Sequence, residues 1–570
     1  MKINIHFLIF LCISIIALVC DYLLYFTGVS YGLGLLISSI IIISLIIILC
    51  YKKRIEVSYN FSKHDIFFYA IIIFIIITKI WIPDFSYDVD NYHIYLQENI
   101  KINKITFDFF AGKNINGFLF SLGDRMHYIF RYLLGYRLGT ILSYYAYVII
   151  YHQFKEMLEH FIPSKDKDHI RCVSSLCIFI PYIMFMWIGT YYIDSLIVVF
   201  IFEIIKLLII KNDIFNDKQY IYYLFLLSGI ATGIKVTSIL LIAPVLLYFF
   251  IKNIRAFKWK NIGYYVIGLI IFIIPFFINV YDNYIQTGSP LFPYYNNIFK
   301  SKYFGLYSWK DERFGIKNIW YMLIWPVYTS IVKLGYGDNW MVKDYSFAIG
   351  YFVLIYCLIK MFIGKKDKEL KDLTIITIIL NIIWILFLEG YMRYALIIPI
   401  LELLLLCILL SKVKIINIVL NNFDKFKFNI ILSTVLIICG IIINCINEPI
   451  ISNRKYAFKD RVYPKFVTSA PYGITYDNSA IAVLERNNNP IINLDGTLNT
   501  SKTSLKEYDK VLEKYDYFYV FAESKYGRNF GVDKNLKENG FNIEYIKMLT
   551  VDELPFINAE DIVYLYKVTK

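Results

Sequence analysis

Between Gly32 and Cys50 the chain reads GLGLLISSIIIISLIIILC, and close behind it follow Lys52, Lys53 and Arg54. An uncharged apolar run of this length fits the roughly 20 residues that a helix needs to cross a hydrocarbon layer about 30 Å thick. The three cations mark the end that faces the cytoplasm, because Lys and Arg gather in short cytoplasmic loops. Further runs lie at 4–26, 65–82, 128–150, 172–190, 193–210, 219–234, 237–251, 262–281, 345–363, 373–390, 395–411 and 429–446, which predicts an α-helical polytopic membrane protein with about 13 transmembrane helices. Composition agrees, since 58% of the 570 residues are hydrophobic and 18% charged, against about 45–50% and 25% in a soluble domain. A net charge of +13 would suggest nucleic acid in a soluble protein. Here the cations serve topology, and nucleic acid is excluded as a partner. The cysteines lie in or beside apolar runs, with no disulfide framework or CxxC metal site.

The loops after spans two, four, eight, ten and twelve carry the basic groups: Lys52–Arg54; Lys155, Lys165, Lys167 and Arg171; Lys252, Arg255, Lys258 and Lys260; Lys365, Lys366, Lys368 and Lys371; Lys412, Lys414, Lys425 and Lys427. All are even-numbered, so they and the N-terminus are expected in the cytoplasm, with the odd loops and the C-terminal segment outside. The parity requires that Ile319 to Val332, with Trp320, Trp325 and Pro326, does not cross. Its aromatic content suits an interfacial or re-entrant helix. The run from Ile3 to Tyr25 is too long for a signal-peptide core and is expected to be retained. Residues 1–446 thus read as a transmembrane domain with long outside loops at 83–127 and 282–344. Residues 447–570 alternate a helical pattern (Thr503 to Lys514) with strand patterns (Ile491 to Leu494, Tyr517 to Phe521, Ile562 to Tyr566), as a small extracytoplasmic α/β domain would.

Polar groups of chemical interest collect at the outside ends of spans. The first long loop opens Pro83-Asp84-Phe85-Ser86-Tyr87-Asp88-Val89-Asp90-Asn91-Tyr92-His93. A carboxylate there, partly desolvated by rings, can take a proton from an attacking hydroxyl, and Asp88 with Asp90 can share a divalent cation (Mg or Mn). The other reading is a polar loop with Asp90 as a helix N-cap. Asp194, in the short turn between spans five and six, is either an N-cap or a site residue. Lys235 is either a snorkelling lysine or an anion ligand. Arg393 stands at a short outside turn, where positive charge is unexpected, and its planar fork suits a phosphate. In the second long loop, Gly288-Ser289-Pro290-Leu291-Phe292-Pro293-Tyr294 makes a rigid turn whose rings suit a sugar face or interfacial lipid. There is no P-loop, HExxH or GxSxG motif.

Taken in order, these segments resemble the GT-C class of integral-membrane glycosyltransferases, which use polyprenyl-phosphate sugars and include protein O-mannosyltransferases and the lipid A aminoarabinose transferase. Asp88 to His93 resembles the class's Asp-x-x-x-Tyr-His pattern, and Tyr191-Tyr192-Ile193-Asp194 its second acidic turn. Gly229 to Thr237 looks like its Gly-x-x-x-Gly-x-Lys-x-Thr turn, Thr287 to Pro293 like its Thr-Gly-Asn-Pro-x-x-Pro loop with Ser289 in place of Asn, and Arg393-Tyr394 like its Arg-Tyr span start. Two spans precede that of the acidic loop, where familiar members place one, and the Trp-Trp-Asp-Tyr-Gly signature of oligosaccharyltransferases is absent.

The resemblance implies a GT-C fold and an inverting transfer of sugar from a polyprenyl phosphate to a hydroxyl of a glycan, lipid or protein at the outer face of a bacterial cytoplasmic membrane. It assigns Asp88 as general base, with Asp90, His93 and Asp194 orienting it or holding a metal ion. Lys235, Arg393 and Tyr394 would face the donor's phosphate, and Pro290, Phe292 and Tyr294 would border the acceptor. Two alternatives make different demands. An O-antigen polymerase or ligase relies on arginines and a histidine in outside loops without an acidic base. A lipid-linked glycan transporter places its ionisable groups at the bilayer midplane.

Overall fold

The computed structural model describes residues 2–59, 61–80, 89, 93–101, 120–162, 168–181, 184, 187–211, 214–301, 305–307, 318–331, 344–363, 368–411, 472–474, 491–493, 517–523, 537, 540–549 and 563–569. The protein is a mostly helical, multi-pass membrane protein. Among the described residues five helices are long and apolar enough to cross a membrane, or six if one bent pair is counted as a span, and shorter apolar helices accompany them.

The N-terminus is tied down twice. Strand β1 (Lys2–Asn4) pairs in parallel with β2 (Glu56–Ser58), and the Asn4 side chain caps helix α1 (Ile5–Thr27) by accepting from the His6 N–H. Helix α1 packs on α2 (Tyr31–Tyr51); α2 buries little of its surface, as a lipid-facing helix should. Helix α3 (Ile66–Lys79) is entered through a capping box between Ser62 and Asp65. A short helix, α4 (Ile94–Lys101), leads toward α5 (Leu122–Leu138) and α6 (Ile141–Phe161).

Here the boundaries differ from the expected span at 128–150. Helices α5 and α6 meet at 110° across a break at Gly139 and Thr140, and α5 is itself kinked at Gly135, whose φ of 82° and ψ of 178° lie in a region open essentially to glycine alone. Helix α6 then runs on to Phe161. Lys155 and Arg171, expected in a cytoplasmic loop, are consequently buried: Lys155 in α6 bonds Asp65 at 2.9 and 3.0 Å, and Arg171 in α7 (Asp168–Ser175) donates to the Ile162 carbonyl.

The chain continues through α8 (Asp194–Ile210), α9 (Lys218–Ile234), α10 (Ser238–Lys252), α11 (Ile262–Ile273) and α12 (Phe277–Thr287). The last two form one apolar stretch that ends at Thr287, beyond the expected 281. Gly229 and Gly233 bring α9 against the carbonyls of Phe272 and Pro275, where a β-carbon would collide. Close backbone approach through small residues four apart is how helices associate when lipid removes the hydrophobic drive. Helix α13 (Ile319–Ile331) has 13 residues, too few to cross. Helices α14 (Tyr345–Ile363), α15 (Lys368–Phe387) and α16 (Ile397–Ser411) pack on one another.

Toward the C-terminus, β3 (Tyr472–Ile474), β4 (Ile491–Asn493), β5 (Tyr517–Glu523), β6 (Asn542–Leu549) and β7 (Val563–Thr569) form a sheet ordered β4-β3-β5-β7-β6. The β3 pairings are parallel and those of β7 antiparallel, so the sheet is mixed. Asp88, Asp90, the run at 429–446 and the helical pattern at 503–514 lie outside the described residues.

Candidate active site

Four helix ends meet at one pole of the bundle: the start of α8, the end of α9, the start of α10 and the turn between α15 and α16. Asp194 opens α8, but the capping position is Ile193, so its carboxylate is not spent on its own helix. One oxygen accepts from Lys235 Nζ at 2.7 Å and the other from Arg393 Nε at 2.8 Å. Asp194 and Arg393 are 3% and 5% exposed, which places one carboxylate and one cation out of water, with Lys235 half-buried beside them.

Aromatic faces lie against both cations. Arg393 Cζ sits 4.3 Å from the ring centre of Tyr192 and 5.7 Å from that of Trp187, and Lys235 Nζ sits 4.4 Å from that of Tyr394. Such cation–π contacts gain strength when desolvated. Arg393 owes its position to the preceding turn. Glu389 and Gly390 both have positive φ, 58° and 64°, and a β-carbon on Gly390 would strike the Trp325 indole. Trp325 Nε1 donates to the Gly390 carbonyl at 2.8 Å and Trp384 Nε1 to that of Tyr391 at 2.9 Å. The aromatic helix α13 thus serves as a buttress for the arginine turn.

The acidic loop reaches the same cluster. His93 Nδ1 meets Asp124 Oδ1 at 2.7 Å, both groups being buried, and the His93 ring lies edge-on to Tyr192 with centres 5.7 Å apart. From the second long loop, Phe292 is 1% exposed and Tyr294 comes within electrostatic range of Glu389 and Tyr394. Burial and then the Glu389 carboxylate push the Tyr294 phenol up to about 12, so it stays a neutral hydroxyl. Pro290 stands in the turn that follows the Gly288 cap of α12. Asp194, Lys235, Arg393, Tyr394 and Tyr294 are therefore brought together with His93, while Asp88 and Asp90 are outside the described residues.

A small cleft opens on the triad. Its mouth carries Asp194, Lys235, Arg393, Thr237 and Ser238, and its walls are Ile197, Val198, Ile201, Leu241, Leu388 and Ile397. The first residues of α8, α10 and α16 all line it, so three helix N-termini, with their partial positive charge, converge on one space. The Ser238 hydroxyl is buried there with no hydrogen-bond partner among the described residues. Cationic at the mouth and apolar along the walls, the cleft matches an anionic headgroup with a hydrocarbon tail.

Sequence reasoning missed Asp124, Trp187 and Tyr192. Asp124 lies in Gly123-Asp124-Arg125-Met126-His127, where three ionisable residues beside an apolar run were a usable signal. Nothing in composition marks Trp187 or Tyr192 off from other rings. Among the described residues no three of His, Cys, Asp and Glu converge on a metal position. Asp194, expected either to orient the base or to hold a metal ion, bonds Lys235 and Arg393.

The arrangement of helices is that of the GT-C fold. Solved structures with that fold include ArnT from Cupriavidus metallidurans bound to undecaprenyl phosphate, with a TM-score of 0.52 and 10% identity over 88% of this chain and 97% of that one. The same protein in its apo state matches with a TM-score of 0.50 and 8% identity over the same shares. No protein-family model matches the sequence, and no curated protein is significantly similar to it.

Proposed function

We propose that this protein transfers a sugar, with inversion, from a polyprenyl phosphate to a hydroxyl of a cell-envelope glycan, lipid or protein at the outer face of a bacterial cytoplasmic membrane. The observation that carries the reading is the amphiphilic cleft, lined by Lys235 and Arg393 together with apolar side chains of α8 and α10. The polyprenyl tail lies along Ile197, Ile201 and Leu241, and the phosphate meets Arg393 and Lys235. Asp194 holds both cations in place before the ligand arrives, so little reorganisation is needed as the leaving phosphate gains charge. The likeness to a protein crystallised with undecaprenyl phosphate supports the same ligand class.

Asp88 is the general base, removing the acceptor's proton as its oxygen attacks the anomeric carbon opposite the phosphate. His93, held by Asp124, orients the loop that carries Asp88 and Asp90. Asp88 and Asp90 supply the oxygen donors that Mg or Mn prefers. Pro290, Phe292 and Tyr294 border the acceptor. On the charge argument the N-terminus is cytoplasmic and residues 447–570 form an extracytoplasmic domain.

The test is single-turnover transfer by purified protein in nanodiscs with synthetic polyprenyl-phosphate sugars. Asp88→Asn should remove about 10²–10⁴-fold of the rate while the protein folds, since an amide cannot accept the proton. Wild-type turnover in Asp88→Asn would end the base assignment. The glycan profile of a deletion strain would name the sugar and the acceptor together.

A further inference from the structure

The loop at 253–261, between α10 and α11, carries Arg255, Lys258 and Lys260, all exposed. No acidic residue stands between Asp217 and Asp282 in the chain. Among the described residues none of the three cations meets a carboxylate. Their neighbour Lys252, at the end of α10, is matched by Asp372 of α15, a carboxylate that also accepts from Tyr248. Pairing along this stretch therefore stops at Lys252, and the next three cations are left open to the surroundings.

The loop is nonetheless a built structure. The Phe257 ring lies edge-on to Phe250 and to Trp259, with centres 5.6 Å apart in each case, and 5.4 Å from that of Tyr265. The Tyr265 hydroxyl donates to the Phe215 carbonyl at 2.7 Å, and the buried Asn261 donates to Asn216 at 3.3 Å. Side chains of α10, α11 and the turn before α9 thus hold the loop. Outward it presents Trp259, 77% exposed, between Lys258 and Lys260, with Ile254 and Ile262 also exposed. Topology explains why cations gather in a loop. It does not call for an indole held bare between two lysines, which is the arrangement of a ring at the headgroup level of a bilayer.

We infer that this loop is a binding site for an anionic phospholipid, whose phosphate meets Arg255, Lys258 and Lys260 while its upper acyl chain lies along Trp259 and Ile254. Charge decides the headgroup. A basic cluster beside a span attracts anionic lipid, and a zwitterionic headgroup brings a cation of its own to three that are already unmatched. The site stands at the far end of α10 from the cleft, which α10 lines with Ser238 and Leu241. It is therefore separate from the donor's cleft, and the inference does not rest on the transferase reading.

The experiment uses the full chain in vesicles of phosphatidylcholine and phosphatidylglycerol, with bromine on the acyl chains of one lipid at a time to quench indole fluorescence on contact. Trp259 is one of eight tryptophans, so its share is the difference between wild type and Trp259→Phe. At low salt phosphatidylglycerol should be preferred at Trp259 by about fivefold or more, the factor that one cation near an anionic headgroup supplies. Replacing Arg255, Lys258 and Lys260 together by Gln should bring the preference to about one, while brominated phosphatidylcholine still quenches Trp259.

Equal preference for the two lipids in the wild type would overturn the inference, as would a preference that survives in the triple variant. Absence of quenching by either lipid would overturn it as well: the loop would then face water, and an acidic protein segment would be its better occupant. Should the triple variant fail to insert, Lys258→Gln alone decides. A reduced preference there supports the site, and an unchanged one overturns it.

Discussion

The two poles of the bundle both bury charge, and they do so in opposite ways. At the pole of the basic loops, Lys155 is matched by Asp65, which also accepts from Tyr151, and Lys252 is matched by Asp372, which also accepts from Tyr248. Lys206 is matched twice, by Glu156 at 2.5 Å and Glu203 at 2.7 Å, with Asn4 and Gln153 bonding those carboxylates. Each of these three cations meets a carboxylate, whereas the buried Arg171 donates to a backbone carbonyl. At the Asp194 pole Lys235 and Arg393 both bond Asp194, ring faces lie against both cations, and a cleft opens beside them. Pairing offsets the cost of holding charge out of water. Cations that line a cleft can in addition meet an anion that enters it. The distinction between structural and functional charge lies in that access, and burial alone does not make it.

The largest effect should come from breaking a balanced pair. Asp65→Asn strands Lys155, whose side chain is 3% exposed, and loss of one partner of a buried pair costs about 3–5 kcal/mol. Thermal unfolding in nanodiscs should show that loss, while the fraction that folds transfers sugar at the wild-type kcat. A variant of normal stability with lost transfer would move the site to the other pole and erase the comparison.

Next comes the cleft itself. Arg393→Ala removes one of the two cations that line it and leaves the Lys235–Asp194 bond in place. Transfer should fall about 10²–10³-fold, the range for removing one donor to developing charge. Stability should change less than in Asp65→Asn, because no charge is stranded. Arg393→Lys restores the charge without the planar fork and should recover only part of the rate. Wild-type single-turnover rates in folded Arg393→Ala would mean that the arginine serves only the fold.

The helices were legible because hydropathy is summed over many residues, Arg393 because a cation is unexpected at a short turn read as outside, and Asp194 and Lys235 because they are ionisable groups at span ends. What escaped depends on a single residue or on distant partners. The kink at Gly135 rests on one φ angle inside an apolar run. Lys155 looked like a loop cation because its partner, Asp65, is 90 residues away. Asp21, which accepts from Arg125 in the fold, passed unnoticed as one polar residue in a long apolar run, although an intramembrane carboxylate is a functional or structural signal by default. Tyr192 was quoted for its neighbour Asp194, and only the fold shows its ring beneath Arg393.

The smallest effect separates the poles by sign. Ser228 in α9 and Ser238 at the start of α10 each bury a hydroxyl with no hydrogen-bond partner among the described residues. Ser238 lines the cleft; Ser228 is not among its lining residues. A buried hydroxyl without a partner costs free energy, so replacing either by Ala should stabilise the ligand-free protein by about 1 kcal/mol. The two then part. A phosphate at the cleft mouth accepts from Ser238 in the bound state, and its loss should weaken donor binding roughly two- to tenfold, the range for one hydrogen bond. Ser228→Ala should gain the same stability and bind donor as the wild type does. Stability rising while affinity falls at one serine, and rising alone at the other, is what a cleft built for an anion requires. Equal affinities in the two variants would leave the Ser238 hydroxyl as an ordinary packing defect and would place the phosphate nearer Arg393, away from the start of α10.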